Sequence, residues 1–202
     1  MHGLRESCVF KMDKKLPKVC IIILSWNHKK DVLETVGSLL KSARDGFVMK
    51  VVVTDNGSVD GTPVEIERLY PEIKVIRNSE NLGFAAGNNV GMKYAINEDF
   101  DYIALLNDDT TVDKSLVKNI LSEHEKYPGA GAISPKIYFA KGYEFHKKRY
   151  KKNDLGKVIW YAGGSIDWEN VYGSNRGVDE IDTGQFDKTI DTDFATGCFV
   201  MF

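Results

Sequence analysis

Val19-Cys20-Ile21-Ile22-Ile23-Leu24 is an uninterrupted apolar run, and it decides the fold that we predict for this 202-residue chain. A run so short and so rich in β-branched residues is typical of a strand buried on both faces of a parallel sheet. Between Val32 and Leu40, apolar residues then recur at the spacing of one helix face. The sequence therefore predicts a strand followed by a helix, which is the repeating unit of an α/β fold.

The same alternation continues along the chain. Further strands are predicted at 49–53, 74–76, 102–106 and 130–137. Further helices are predicted to open at Thr62 and to cover 83–96 and 114–127, and a hairpin broken by Gly163-Gly164 is predicted at 158–168. We place the second helix between the N-cap Thr62 and the strand at 74–76, with Pro63 in its first position. This spacing predicts a mostly parallel sheet flanked by helices, in which ligands bind beyond the carboxyl ends of the strands.

Composition restricts the domain count and the partners. Residues 17–202 are enough for one domain with its own core, whereas residues 1–16 mix charged and apolar groups without the apolar segment of a signal peptide, and we predict a tail there. A net charge of -2 disfavours nucleic-acid binding. No apolar run approaches the roughly 20 residues of a transmembrane helix.

The three cysteines, Cys8, Cys20 and Cys198, lack CxxC spacing. A disulfide framework or a zinc site is therefore disfavoured, and we expect Cys20 and Cys198 to be small core residues. This cysteine usage suits a reducing, cytoplasmic compartment.

Asn107-Asp108-Asp109 directly follows a predicted strand. Two adjacent carboxylates beside a buried strand repel each other and need a cation or a hydrogen-bond donor to remain charged. Carboxylate oxygens favour hard ions such as Mg²⁺ or Mn²⁺, and a diphosphate would share the remaining coordination sites of such an ion. The alternative is that one aspartate caps the following helix, although Asp113 is better placed for that.

Two other strand ends are also polar. Asp55 is suited to accept the ring N–H of a nucleobase, whereas Asn56-Gly57 and Asp60-Gly61 alone predict a plain turn. In the segment Ser25-Trp26-Asn27, Trp26 is either a core side chain or part of the rim against a nucleoside.

Gly83, Gly87 and Gly91 fall four residues apart, hence on one helix face. For Gly87 and Gly91 we predict close packing of the helix on the sheet. At the helix start, Asn81 and Gly83 are expected near the diphosphate or sugar, with free backbone N–H groups.

Taken together, the segments resemble the family 2 glycosyltransferases with their GT-A fold, and in particular the rhamnosyltransferase-like branch, which transfers sugars onto cell-envelope polysaccharides. The resemblance runs from Pro17 to Phe202. It rests on the order of the stretches ILSWN, VVVTDNGSVDGT, NSENLGFAAGNNVGM, LLNDDTTVD, WYAGGSID and DFATGCFVMF.

The resemblance implies a role for several residues. Asp55 matches the residue that reads the nucleobase, Asp109 the direct metal ligand, and Asp108 the residue that faces ribose or sugar, while Asn107 stands where many members have Asp. Ser25 and Asn27 match the loop that borders the nucleoside, and Thr196-Gly197 matches the acceptor side of the sugar site. The implied partners are a UDP, dTDP or GDP sugar, Mn²⁺ or Mg²⁺, and a saccharide or lipid-linked acceptor.

The family also has an acidic general base, some tens of residues beyond a stretch like 194–202. We expect this base beyond Phe202, so the predicted function is the donor-binding part of an inverting glycosyltransferase that does not complete transfer alone. The alternatives are a non-catalytic nucleotide-sugar-binding module and a sugar-1-phosphate nucleotidyltransferase. The latter normally has a Gly-rich, basic loop where Ser25 to His28 stand.

Residues 141–157 carry seven Lys and Arg residues. They are either a solvated loop or a patch that meets an anionic acceptor or a membrane surface. The second interpretation places the protein at the inner face of the membrane, without a transmembrane segment.

Overall fold

The computed structural model describes residues 15–202. Most of the predicted tail, together with Cys8, lies outside the described residues. Lys15 and Leu16, the described part of that tail, are exposed and belong to no helix or strand.

Strands and helices alternate in the first two thirds of the chain, as the sequence predicts. The elements in chain order are β1 (Lys18–Ser25), α1 (Lys29–Leu40), β2 (Val48–Asp55), α2 (Thr62–Leu69), β3 (Lys74–Arg77), α3 (Gly83–Asn97), β4 (Tyr102–Asn107), α4 (Leu116–Lys126), β5 (Ile137–Tyr138), β6 (Ile159–Tyr161), β7 (Gly164–Asp167), β8 (Tyr172–Asn175) and β9 (Phe199–Met201). A single 3₁₀ turn covers Lys147–Arg149.

The main sheet has five strands in the order β3-β2-β1-β4-β9. The first four are mutually parallel, and β9 runs antiparallel to β4. The predicted fold class, a mostly parallel α/β sheet flanked by helices, is confirmed. Because the chain proceeds outward from β1 to β3 and then returns to place β4 on the other side of β1, the strand order reverses between β1 and β4.

The apolar run of β1 is buried on both faces of the sheet. Val19, Ile21 and Ile23 pack into the larger core with α1, α2 and α4, whereas Cys20 and Ile22 pack into a smaller core under α3. All five side chains are fully buried. Each fully buried aliphatic side chain of this size contributes roughly 1.5–3 kcal/mol by leaving water, so the run anchors both layers.

Close packing of α3 on the sheet depends on two glycines. A Cβ at Gly87 would lie 2.5 Å from Leu24 Cδ1, and a Cβ at Gly91 would lie 2.6 Å from Ile22 Cγ2. Neither separation accommodates two carbon atoms, so the helix backbone reaches the sheet only because side chains are absent. The predicted packing role of both glycines is confirmed.

Four details of the predicted elements are wrong. The stretch 130–137 does not form the fifth strand, because β9 occupies the edge beside β4 and leaves only an isolated bridge between Ile133 and Met201. The two halves of the stretch 158–168, predicted as a hairpin broken by Gly163-Gly164, do not pair with each other, and the ring of Phe194 packs against Gly164. Instead β6 pairs with β5, and β7 pairs with β8.

The other two errors concern the starts of α2 and α4. Thr62 is the first residue of the helix, and the N-cap is Gly61 in a left-handed conformation. The reason is Asp60, whose carboxylate accepts hydrogen bonds from both the N–H and the hydroxyl of Thr62. At α4, Ser115 rather than Asp113 is the N-cap, and Asp113 accepts a hydrogen bond from the Ser115 N–H.

Cys20 is buried as predicted, whereas Cys198 is only partly buried.

Within residues 15–202, none of the helices has the length and apolar character that crossing a bilayer demands.

Candidate functional site

The carboxyl ends of β1, β2 and β4 bring three predicted segments together. Ser25 is opposite Asp55 in the β1–β2 register, and Leu24 is opposite Asn107 in the β1–β4 register. Neighbouring strands lie about 4.8 Å apart, so the side chains that follow these positions share one edge of the sheet. This edge includes the reversal of strand order between β1 and β4, where open α/β sheets bind their ligands.

Asp55 is the most deeply buried carboxylate of this edge, with 2% of its surface exposed. Its Oδ2 accepts a hydrogen bond of 3.0 Å from the Ser58 N–H, but its Oδ1 is buried without a partner. The hydroxyl oxygen of Ser25 is also buried and unpartnered. Because a buried acceptor without a donor costs about 1–3 kcal/mol, these two oxygens mark a place where a ligand N–H or O–H would be stabilised.

Asp108 and Asp109 differ in environment although they are adjacent. Burial raises the pKa of the Asp108 carboxyl, and the charge of Asp109 adds to this. The nearby Ser25 hydroxyl, which approaches without completing a hydrogen bond, and His28, whose Nδ1 lies 3.5 Å from Asp108 Oδ1, oppose the rise. Asp109 is exposed. The end of β4 therefore offers one half-buried and one solvent-facing carboxylate.

A buried threonine of α1 holds the backbone that carries these aspartates. Thr35 Oγ1 lies 2.9 Å from the carbonyl oxygen of Asp108 and 2.7 Å from that of Thr110, and it accepts a hydrogen bond of 3.0 Å from the Thr110 N–H. The Thr35 hydroxyl has one proton, so it donates to only one of these two carbonyl oxygens at a time. Sequence reasoning missed this residue, although a hydroxyl between Val32 and Val36 on an apolar helix face was a signal that it bonds something buried.

The loops that follow β1 and β2 are joined by backbone-directed hydrogen bonds. The Asn27 N–H donates to Ser58 Oγ, and Asn27 Oδ1 accepts from the Val59 N–H, both at 2.8 Å. Asn27 has a φ of 54°, so this side chain serves a left-handed turn. Trp26 is 49% exposed, which places it at the rim and excludes the core alternative.

A cluster of asparagines closes the other side of the edge. Asn56 is buried, its Nδ2 donates to Asn81 Oδ1 at 3.0 Å, and its Oδ1 accepts from Asn78 Nδ2 at 2.9 Å. Asn81 Oδ1 also accepts the Gly83 N–H at 2.8 Å. The Gly83 N–H is therefore not free for a diphosphate, contrary to our expectation. Asn56 and Asn78 were not singled out from the sequence, since Asn-Gly alone predicts a turn.

Residues just before β9 meet the end of β4. The Asn107 N–H donates to the carbonyl of Cys198 at 3.0 Å, and a Cβ at Gly197 would lie 2.9 Å from the ring of Phe84. Burial, together with the charge of nearby Asp109, raises the pKa of the Cys198 thiol to about 11. The 196–198 segment therefore lies beside the end of β4 and Asp109, and its acceptor-side role stays a prediction.

The described residues contain no group of three or more His, Cys, Asp and Glu side chains that could hold a metal. An ion at Asp108 and Asp109 would thus need oxygen ligands from elsewhere. Mg²⁺ sites in proteins often have this composition, with one or two carboxylates, waters and substrate phosphates.

A family model, Glycosyl transferase family 2, matches residues 20–202. The match covers most of the chain and includes every strand end described above. The chain belongs to this family.

Two curated proteins are similar to parts of this chain. The chain is 28% identical over 58% of its length to the succinoglycan biosynthesis protein ExoO of Rhizobium meliloti. It is 29% identical over 44% of its length to the N-acetylglucosaminyl-diphospho-decaprenol L-rhamnosyltransferase of Mycobacterium tuberculosis. Each match covers 32% of the relative, so the chain spans about a third of these proteins.

Solved structures show the same fold. The mannosyltransferase PcManGT from Pyrobaculum calidifontis, in complex with GDP-Man and Mn²⁺, matches 66% of this chain and 39% of its own with 21% identity and a TM-score of 0.53. S. aureus TarS 1-349 in complex with UDP-GlcNAc matches 62% of this chain and 36% of its own with 23% identity and a TM-score of 0.55. These likenesses establish the GT-A fold.

Proposed function

We propose that this chain binds a nucleoside-diphosphate sugar and belongs to an inverting glycosyltransferase. The enzyme would transfer the sugar to a saccharide or lipid-linked saccharide acceptor in cell-envelope polysaccharide synthesis, in the cytoplasm. The observation that carries the proposal is the buried, unpartnered Oδ1 of Asp55, on the same sheet edge as Asp108 and Asp109. The GDP-Man and UDP-GlcNAc complexes of the similar structures support this ligand class.

In this proposal Asp55 receives the nucleobase. A pyrimidine or guanine ring N–H would donate to Oδ1, while the Ser58 N–H continues to hold Oδ2. The Ser25 hydroxyl, with no partner of its own, would bond the nucleoside at the neighbouring strand end. Trp26 would cover the nucleoside from the rim, and the hydrogen bonds of Asn27 keep that rim in place.

The donor's diphosphate and a divalent ion would lie at the end of β4. Asp109 is exposed and would be the direct ligand of Mn²⁺ or Mg²⁺, whereas the half-buried Asp108 would accept hydrogen bonds from ribose or sugar hydroxyls. Oxygen donors and an incomplete protein ligand set fit a hard ion that also binds phosphate. When bound, the ion supplies Lewis-acid stabilisation of the charge that develops on the departing diphosphate.

The remaining residues shape the diphosphate and acceptor sides. Asn107 fixes the end of β4 through its backbone bond to Cys198, and Asn81 and Gly83 form the wall at the start of α3. Thr196 and Gly197 would border the sugar where the acceptor approaches. We assign no general base among the described residues, because the resemblance places the base beyond a stretch like 194–202. Asp193 lies upstream of that stretch and accepts a hydrogen bond from the Ile166 N–H.

A thermal-shift panel tests the proposal on the 202-residue chain. UDP, dTDP, GDP and their sugars are added with Mg²⁺, with Mn²⁺ and with chelator. A ligand that binds only the folded state adds about 2.7 kcal/mol to the free energy of unfolding when its concentration is a hundred times Kd. The added stability is observed as a higher melting temperature. At least one nucleotide series should raise it, and more so with metal. A folded sample that responds to none of the three series contradicts the proposal.

A further inference from the structure

Positive charge is concentrated in the segment that joins β5 to β6. Residues 141–157 contain seven of the chain's 27 Lys and Arg residues and only two acids, which gives the segment a charge of +5. Because the whole chain has a net charge of -2, the other residues together carry -7. Such an asymmetry marks a surface for an anionic partner.

The fold turns one acid of this segment inward and the two aromatic residues beside it outward. Glu144 is completely buried, and its carboxylate accepts hydrogen bonds from the N–H groups of Gly142, at 2.9 Å, and Gly156, at 2.7 Å. These bonds tie together the two ends of the loop. Its neighbours Tyr143 and Phe145 are each 77% exposed.

The second acid of the segment is also engaged by backbone. Asp154 Oδ2 accepts the Lys151 N–H at 2.9 Å. Six basic side chains of the segment, in contrast, face solvent. The exposed ones are Lys141, Lys148, Arg149, Lys151, Lys152 and Lys157, and none of these six forms an ion pair with any acid of the described residues.

Aromatic and basic side chains share one face of the loop. Phe145, His146, Lys148 and Arg149 line a single open hollow, and the rings of Phe145 and His146 meet edge to face at 4.7 Å. The loop is fixed to the rest of the molecule by the Tyr150 hydroxyl, which donates to the carbonyl of Asp179 at 2.9 Å. The surface is thus held in one shape rather than being a free chain.

We propose that this face, defined by Phe145, Lys148 and Arg149, docks on an anionic lipid bilayer. Basic residues within a Debye length of such a surface are attracted by its negative potential. Exposed aromatic rings add attraction by entering the boundary between headgroups and acyl chains. A soluble polyanion would use the charges alone, and it would leave the Phe145 ring in water. The ring therefore favours a membrane over a soluble acceptor.

Vesicle co-sedimentation tests this surface directly. The 202-residue chain is mixed with vesicles of phosphatidylcholine alone, and with vesicles containing 30% phosphatidylglycerol, in low and high salt. The variants are Phe145→Ser and the charge reversal Lys148→Glu/Arg149→Glu. The matched controls are Ile96→Ser, an exposed apolar residue of α3, and Lys93→Glu/Lys118→Glu, which reverses two exposed lysines elsewhere. Thermal melts confirm that each variant is folded.

The chain should bind the anionic vesicles and not the neutral ones, and high salt should release it. Each loop variant should lower the partition coefficient by about tenfold or more, whereas both controls should bind like the parent. The proposal is overturned if the parent does not bind anionic vesicles, or if the controls lose as much binding as the loop variants. It is also overturned if Phe145→Ser binds normally while the charge reversal abolishes binding, which is the result expected for a site that takes a soluble polyanion.

Discussion

Ser25 and Asp55 lie opposite one another at the carboxyl ends of β1 and β2, and each has a buried side-chain oxygen without a hydrogen-bond partner. Buried polar atoms in folded proteins are nearly always paired, so two orphans on adjacent strands are informative. Both lie at the carboxyl ends of parallel strands, which is where open α/β sheets bind their ligands. This pair supports the proposed function more strongly than any single sequence motif does.

Asp55→Asn should weaken nucleotide binding without unfolding the protein. The amide is nearly isosteric and can keep the bond from Ser58, but a hydrogen bond to a neutral group is weaker than one to a carboxylate. A charge-assisted bond contributes about 1.5–3 kcal/mol, so Kd should rise by about ten- to a hundredfold. Titration calorimetry with the best nucleotide measures this. Asp45→Asn, an exposed acid in the loop before β2, is the control and should bind like the parent. Equal affinity of Asp55→Asn and the parent would remove Asp55 from the site.

Thr35→Val should both destabilise the protein and reduce its metal-dependent nucleotide binding. Valine keeps the shape but leaves the Thr110 N–H and the carbonyls of Asp108 and Thr110 without their buried partner. Such a loss costs about 1–3 kcal/mol. Urea unfolding and calorimetry report the two effects. Thr35→Ser retains the hydroxyl and should recover most of the binding. If serine binds as poorly as valine, Thr35 acts through packing and not through this bond.

Gly91→Ala should destabilise the fold far more than Gly129→Ala. The added Cβ would meet Ile22 Cγ2 at 2.6 Å and Thr54 Oγ1 at 2.8 Å, whereas at Gly129 it would meet nothing within 4 Å. Forcing a methyl into a packed interface costs typically about 1–3 kcal/mol. The comparison is made by urea unfolding at one pH. Similar midpoints for the two variants would show that α3 shifts away from the sheet at little cost.

The stability of the protein should fall as the pH drops below the ordinary pKa of histidine, about 6.5, because of His124. Burial lowers the pKa of His124, and the backbone of Met201 only partly opposes this. Its Nε2 is buried without a partner, and its ring packs 5.1 Å from that of Tyr102. Between the lowered pKa and the ordinary one, the unfolded chain binds a proton that the folded chain does not, so protonation favours unfolding. Above that window both forms are neutral, and the full stability is present.

The His124→Phe variant isolates this contribution. Phenylalanine retains a ring beside Tyr102 but does not titrate. Urea unfolding between pH 7 and pH 5 should show a smaller decline for the variant than for the parent. Parallel declines would assign the pH dependence to other groups.

The sequence predicted the elements whose side chains follow a regular pattern. The buried run of β1 and the glycines of α3 determine their own environment, because both faces of the strand and the contact face of the helix are apolar or bare. The same pattern predicted that Asp55 and Asp109 follow the ends of strands. It did not predict which segment pairs with β4 as the edge strand. Both 130–137 and 194–202 are apolar enough for that position, and only the three-dimensional arrangement selects β9.

The supporting residues of the site were also beyond the sequence. Thr35 contacts Asp108 and Thr110 across more than 70 residues of chain, and Asn56 reaches Asn78 and Asn81 across more than 20. A single side chain without a periodic pattern does not indicate its distant partner. For Trp26 the sequence allowed two positions, in the core or at the rim of the site. The structure places it at the rim.

Calorimetric titration of the parent and of Asp109→Ala with UDP, dTDP and GDP, each with and without Mn²⁺, tests the central claim most directly. Asp109 is exposed, so alanine removes the proposed metal ligand without disturbing the core, and Asp45→Ala is the control for loss of an exposed acid. We predict that at least one nucleotide binds the parent more tightly with Mn²⁺, and that Asp109→Ala loses this enhancement while Asp45→Ala keeps it. Metal-enhanced binding that persists in Asp109→Ala would contradict the metal assignment, and absence of binding of all three nucleotides to the folded parent would contradict the function.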